Sequence, residues 1–115
     1  MDNPYCTMIA HPTGRLLGKR AGYEVDVERL LQAAKERGVS MELNAQPERL
    51  DLSFEYLQRA KELGVPVAIT TDAHAQSHLS YMRYGVLQAR RGWLEARNVL
   101  NTRTLPALLT MIRRT

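Results

Sequence analysis

The 115 residues predict an α/β domain in which short parallel strands alternate with helices. Two observations carry that reading. A helix-ending string, Ala34-Lys35-Glu36-Arg37-Gly38-Val39, returns as Ala60-Lys61-Glu62-Leu63-Gly64-Val65, each time after an apolar helical stripe and before a strand-like run. In addition, chemistry-bearing side chains recur once per strand and helix, with His11, Glu42 and Asp72 at or near the ends of three successive strand candidates. An apolar content of 44% supports one small core and is too little chain for two domains.

The elements follow in order. Thr7–Ala10 reads as the first strand and feeds a glycine-containing loop, Pro12 to Val25, longer than the usual connection and therefore a candidate for function. Val27, Leu30, Leu31 and Ala34 fall at i, i+3, i+4 and i+7, the stripe of an amphipathic helix that Asp26 caps and Gly38 closes in the left-handed conformation. Val39–Leu43 is the second strand. A second helix, capped by Ser53, carries Phe54, Leu57 and Ala60 inward, and the third strand runs from Pro66 to Thr71. Gln76–Arg91 is expected to be one helix with Leu79, Met82, Val86 and Leu87 available for burial, although Gly85 weakens it. In the Gly92–Thr102 link, Trp93 and Leu94 are expected to anchor packing. A last helix, Leu105–Ile112, begins after Thr104 at the capping position. Sequential βα units imply one parallel sheet with right-handed crossovers.

No apolar run approaches the roughly 20 residues needed to cross a bilayer, so no membrane partner is expected. The N-terminal MDNPYCT has neither the basic start nor the apolar run of a secretory signal, which places the single cysteine, Cys6, in a reducing cytoplasm. The net charge of +4 favours an anionic partner.

In a parallel sheet the ends of neighbouring strands lie side by side, so His11, Glu42 and Asp72 can share a pocket. Alternation within a strand pairs Asp72 with His74 and Glu42 with Asn44 on the same side. Imidazole and carboxylate together suit zinc, manganese or iron better than magnesium or calcium. Such an ion polarises a phosphoryl oxygen and lowers the pKa of bound water, which points to phosphoester hydrolysis. Each residue also has a plainer reading. His11 before Pro12 can be a hydrogen-bonded turn residue, Asp72 can cap the following helix, and Glu42 is best read as a paired carboxylate on a half-buried strand. His78, four residues after His74, is expected to face solvent and stays outside the site. Arg15, Lys19 and Arg20 are candidate phosphate ligands, or simply solvated cations of the loop.

Ala10-His11-Pro12-Thr13-Gly14-Arg15-Leu16-Leu17-Gly18 and Thr70-Thr71-Asp72-Ala73-His74 resemble the last two metal-ligand motifs of PHP (polymerase and histidinol phosphatase) domains. Asn3-Pro4, Met41-Glu42-Leu43-Asn44-Ala45, Arg49-Leu50-Asp51-Leu52, Ala89-Arg90-Arg91-Gly92-Trp93-Leu94 and Val99-Leu100-Asn101-Thr102 resemble the branch attached to bacterial family X DNA polymerases. The resemblance covers nearly the whole chain. It implies a partial, distorted βα barrel: the C-terminal portion of a PHP domain whose N-terminal half, with most of the metal ligands, is absent. It further implies manganese or zinc, up to three ions in the complete domain, and a 3′–5′ exonuclease acting on DNA. Carried over by motif, His11, Asp72 and His74 are the metal ligands, and Glu42 matches none. The expected partners are DNA, the missing barrel half and a second copy of the chain at exposed edges. Two other readings stand beside this one: a small-molecule phosphatase of the histidinol-phosphatase type, and a non-catalytic module that binds nucleic acid or protein.

Overall fold

The computed structural model describes residues 1–22 and 24–112. Among these, β1 (Met8–Ile9), β2 (Ser40–Asn44) and β3 (Val67–Thr70) form one parallel sheet in that order, with Met8 and Ile9 opposite Ser40 and Met41, and Met41 opposite Val67. β1 is shorter than the expected Thr7–Ala10. Its pairing is extended by Ser40 N donating to Thr7 O, and it ends where His11 adopts a positive φ.

The helices α1 (Val27–Arg37) and α2 (Phe54–Leu63) match the expected positions. Asp26 caps α1 by accepting from Arg29 N, and Gly38 and Gly64 close the two helices at φ 66° and 79°. Ser53 precedes α2 but does not cap it: its hydroxyl is buried without a hydrogen-bond partner among the described residues, in a cavity it shares with Thr13. Val27, Leu31 and Ala34 of α1 join Leu57 and Ala60 of α2, Met41 and Leu43 of β2, and Val67 of β3 in one core. β2, the central strand, is buried at every residue.

The expected helix Gln76–Arg91 divides into a 3₁₀ segment, Gln76–Tyr81, and α3, Met82–Arg91. Ala75, at the capping position, has no side-chain acceptor to organise an α-helical first turn, and His78 N bonds to Ala75 O in the tighter pattern. The buried face of α3 also differs from expectation. Gly85, Gln88 and Ala89 are buried, Met82 packs partly against the core, and Leu79, Val86 and Leu87 are exposed, Leu79 at 60%. The reason is close approach. A Cβ on Gly85 would stand 2.5 Å from Ile69 Cγ2 and 3.0 Å from Ala45 Cβ, so α3 meets the sheet through its smallest residues.

Leu94 packs against the core as expected, whereas Trp93 has φ 62°, is 64% exposed and lies outside the core. α4 (Leu105–Ile112) lies where the pattern places it, with Ala107 N donating to Thr104 Oγ1, but it buries none of its residues. The outer edge of β3 is not bare. Val67 bridges to Val99 in parallel, and the Asn101 amide occupies the next backbone position, donating to Ile69 O and accepting from Ile69 N, each at 2.8 Å.

Candidate functional site

Polar side chains alternate along β2 and just beyond it: Glu42, Asn44 and Gln46, between Met41, Leu43 and Ala45. Each reaches the end of a neighbouring strand. Glu42 is buried, and its carboxylate accepts from His11 N at 2.5 Å, Asn44 Nδ2 at 3.4 Å and Thr70 Oγ1 at 2.7 Å. It is a hydrogen-bonded strand connector with no ion pair among the described residues. Asn44 Nδ2 also donates to Asp72 Oδ2 at 3.1 Å, which links the carboxylate of Asp72 through Glu42 to the backbone of His11. Gln46 Nε2 donates to Thr71 O at 3.0 Å and Asp72 O at 2.8 Å, fixing the turn after β3.

His11 and Asp72 end their strands at φ 24° and 49°. A non-glycine residue there is strained, and such strain persists where surrounding contacts impose it. For Asp72 the contacts are those from Asn44 and Gln46. For His11 they are Glu42 and the next residues, because the buried carboxylate of Asp51 accepts from Thr13 N at 3.0 Å and Gly14 N at 2.8 Å.

The two other histidines are held in opposite tautomers. His74 Nδ1 lies 2.8 Å from Asp72 O, and a carbonyl only accepts, so Nδ1 carries the hydrogen and Nε2 keeps its lone pair. That is the arrangement of a metal-ligating or proton-accepting imidazole. His78 Nδ1 accepts from His74 N at 3.1 Å and faces Gln46 Nε2 at 3.3 Å, so its hydrogen is on Nε2. His78 is half-buried rather than solvent-facing, and in this tautomer its Nε2 carries the hydrogen.

Asp72, His74 and His78 line a cavity of about 260 Å³ together with Gln46 and Arg49. His11 is not among its walls; it reaches the same network through its backbone. Among the described residues no three His, Cys, Asp or Glu side chains converge closely enough to hold a metal ion. The donor types of Asp72 and His74 suit a divalent ion, but among the described residues they are not part of a group of three such side chains.

The loop cations have local partners. Arg15 Nε donates to Arg49 O at 2.8 Å and its Nη2 to Leu50 O; Arg20 Nε donates to Gly14 O at 3.0 Å; Lys19 faces Glu48 at 3.9 Å. These contacts hold the loop against the turn after β2. The sequence pairs Asn44 with Glu42 on one side of the strand but gives no role to Gln46, Arg49 or Asp51; Gln46 continues the alternation of polar residues along β2, a legible signal, whereas Arg49 and Asp51 lie beyond the strand.

The chain is a parallel α/β unit with a polar network at the C-terminal ends of its strands, and over nearly its whole length it resembles part of a bacterial family X DNA polymerase. The particular relative is the DNA polymerase/3′-5′ exonuclease PolX of Bacillus subtilis, 47% identical over 114 residues, which are 99% of this chain and 20% of that protein. A probable phosphatase of Thermoanaerobacter sp. is 29% identical over 108 residues, 89% of this chain and 42% of that protein. A probable phosphatase of Caldanaerobacter subterraneus is 37% identical over 86 residues, 64% of this chain and 29% of that protein. The chain thus spans about a fifth of the polymerase relative and less than half of either phosphatase. No family model matches it.

Proposed function

We propose that this chain is the C-terminal portion of a PHP-type phosphoesterase domain and contributes one wall of a 3′–5′ exonuclease site that hydrolyses DNA phosphodiesters. The observation that carries the reading is the identity of 47% to PolX across essentially the whole chain. The site is consistent with it. Asp72 and His74 present a carboxylate and an imidazole Nε2 lone pair side by side after β3, each fixed by hydrogen bonds rather than left to rotate. With His11 they form a partial donor set for manganese or zinc, completed by ligands from outside this chain. Without that complement the chain has little or no activity by itself. DNA and the rest of the barrel are its partners, and the exposed apolar residues Leu79, Val86 and Leu87 are surface that such a neighbour, or a second copy, would cover.

The phosphatase relatives support a second reading, hydrolysis of a small phosphomonoester at the same wall. One experiment separates the two. The longest natural polypeptide carrying this segment is assayed with manganese on single-stranded DNA and on a small phosphomonoester, as wild type and with Asp72→Ala or His74→Ala. Nucleotide release from 3′ ends, lost in both variants, is the expected outcome. Phosphomonoester turnover without nucleotide release would transfer the assignment to a phosphatase, and DNA degradation unaffected by either substitution would remove these residues from the site.

A further inference from the structure

Arg49 was given no role by motif or spacing, yet its surroundings are unusual for a structural arginine. It belongs to the turn after β2, where Arg49 N and Leu50 N both bond to Gln46 O at 2.8 and 3.0 Å. Arg15 grips the carbonyls of Arg49 and Leu50 from outside, so the backbone that carries the Arg49 side chain is fixed on both sides. The side chain enters the cavity of Asp72, His74 and His78 and is only 20% exposed. There its ionic neighbour among the described residues is Asp72 Oδ2, 3.9 Å from Nε. That distance is too long for a direct hydrogen bond. Nη1 is buried and has no hydrogen-bond partner among the described residues.

A guanidinium is a planar fork of five donors suited to two oxygens of one oxyanion, and leaving one of its N–H groups buried and unpaired is unfavourable. The carboxylate beside it does not supply the missing acceptor in this geometry: Asp72 Oδ2 stands 3.9 Å from Nε, and Nη1 has no hydrogen-bond partner among the described residues. Glu48, the other acid lining the cavity, faces Lys19.

We propose that Arg49 is the phosphate-binding residue of this cavity: its guanidinium turns from the loose contact with Asp72 to clamp two non-bridging oxygens of a phosphoryl group. The ligand class is a phosphate ester or inorganic phosphate. Without a ligand Arg49 offsets the charge of Asp72; with a phosphoryl group present, the fork is transferred to the ligand and the Asp72 carboxylate is released. The proposal rests on the phosphoesterase reading and names the group that would hold its substrate.

The test is binding rather than turnover. Inorganic phosphate is titrated into the isotope-labelled chain, with the Arg49 Nε–H and the imidazole signals of His74 and His78 followed by NMR, and the titration is repeated with Arg49→Gln and Arg49→Lys. Phosphate should shift the Arg49 Nε–H signal in the wild type. Arg49→Gln should lower affinity by about tenfold or more, and Arg49→Lys, which keeps the charge and loses the fork, should fall between the two. An Arg49 signal that does not move at saturating phosphate would overturn the proposal even if the variants failed to fold. So would Arg49→Gln with wild-type phosphate affinity, or the absence of phosphate binding. Phosphate held by Arg49 in a protein whose full-length form hydrolyses no phosphoester would leave this proposal standing and defeat the functional reading instead.

Discussion

The side chain of Asn101 pairs with the backbone of Ile69 as a neighbouring strand would, donating to the carbonyl and accepting from the amide at 2.8 Å each. One residue thereby closes a stretch of sheet edge that would otherwise be open to pairing. Asn101→Ala should cost about 1–3 kcal/mol, because it strips partners from two part-buried backbone groups. Asn101→Asp should be worse at neutral pH than in acid, since only the protonated acid can both accept from Ile69 N and donate to Ile69 O. Chemical denaturation at two pH values reads both effects, and equal stability of all three proteins would show that the contact contributes nothing.

His74 and His78 should hold opposite tautomers when neutral. Long-range nitrogen–proton NMR correlations on the neutral rings should place the hydrogen of His74 on Nδ1 and that of His78 on Nε2. Gln46→Ala removes one of the two donors facing His78 Nδ1 and should leave His74 unchanged. The same tautomer on both rings would dismantle the assignment of His74 Nε2 as the available lone pair.

Gly85→Ala should destabilise the protein by about 1–3 kcal/mol through overpacking against Ile69 and Ala45. Helix propensity alone argues for a gain of up to about 1 kcal/mol. The sign of the change in urea midpoint therefore decides whether packing or propensity governs this position.

Arg59 donates to Glu28 at 2.6 Å and to Glu62 at 3.0 Å, joining α1 to α2. The hydrogen bond from Arg59, aided by Gln32, holds the Glu28 carboxyl below its usual range. A depressed carboxyl stabilises the fold above the unfolded-state pKa, and the contribution is lost as pH falls through the folded value. Glu28→Gln should therefore flatten the acid limb of the thermal stability profile and leave its alkaline limb alone. Because the pair is at the surface, about 1 M salt should have a similar effect on the wild type. An unchanged acid limb in Glu28→Gln would show the bridge to be without consequence for stability.

What the sequence disclosed is local, and what it concealed is not. Asp26, Gly38, Gly64 and the stripe of α1 were legible because caps and amphipathic periods act within a few residues. The contacts of Asp51 with Thr13 and Gly14, and of Asn101 with Ile69, join residues more than 30 positions apart and leave no local pattern. The packed face of α3 was misjudged for a related reason. Periodicity selects the largest apolar residues, whereas a helix lying close to a sheet turns glycine and alanine toward it. The candidate site was legible in Asp72 and His74, whose alternation pairs them. It was not legible in Arg49, which lies in a turn and depends on tertiary placement for its role.

The clamp of Asp51 on Thr13 and Gly14 fixes the stem of the loop after β1, and Leu17 N, donating to Glu48 O, seats the tip against the turn after β2. Beyond the stem the chain folds back on itself, with Leu16 bridging Arg20 around an exposed Gly18 at φ 75°, where an added Cβ would touch nothing. Gly18 is accordingly a graft point: a reporter peptide spliced there would hang outside the molecule while its stem keeps His11 in register, giving an internal handle that needs neither terminus.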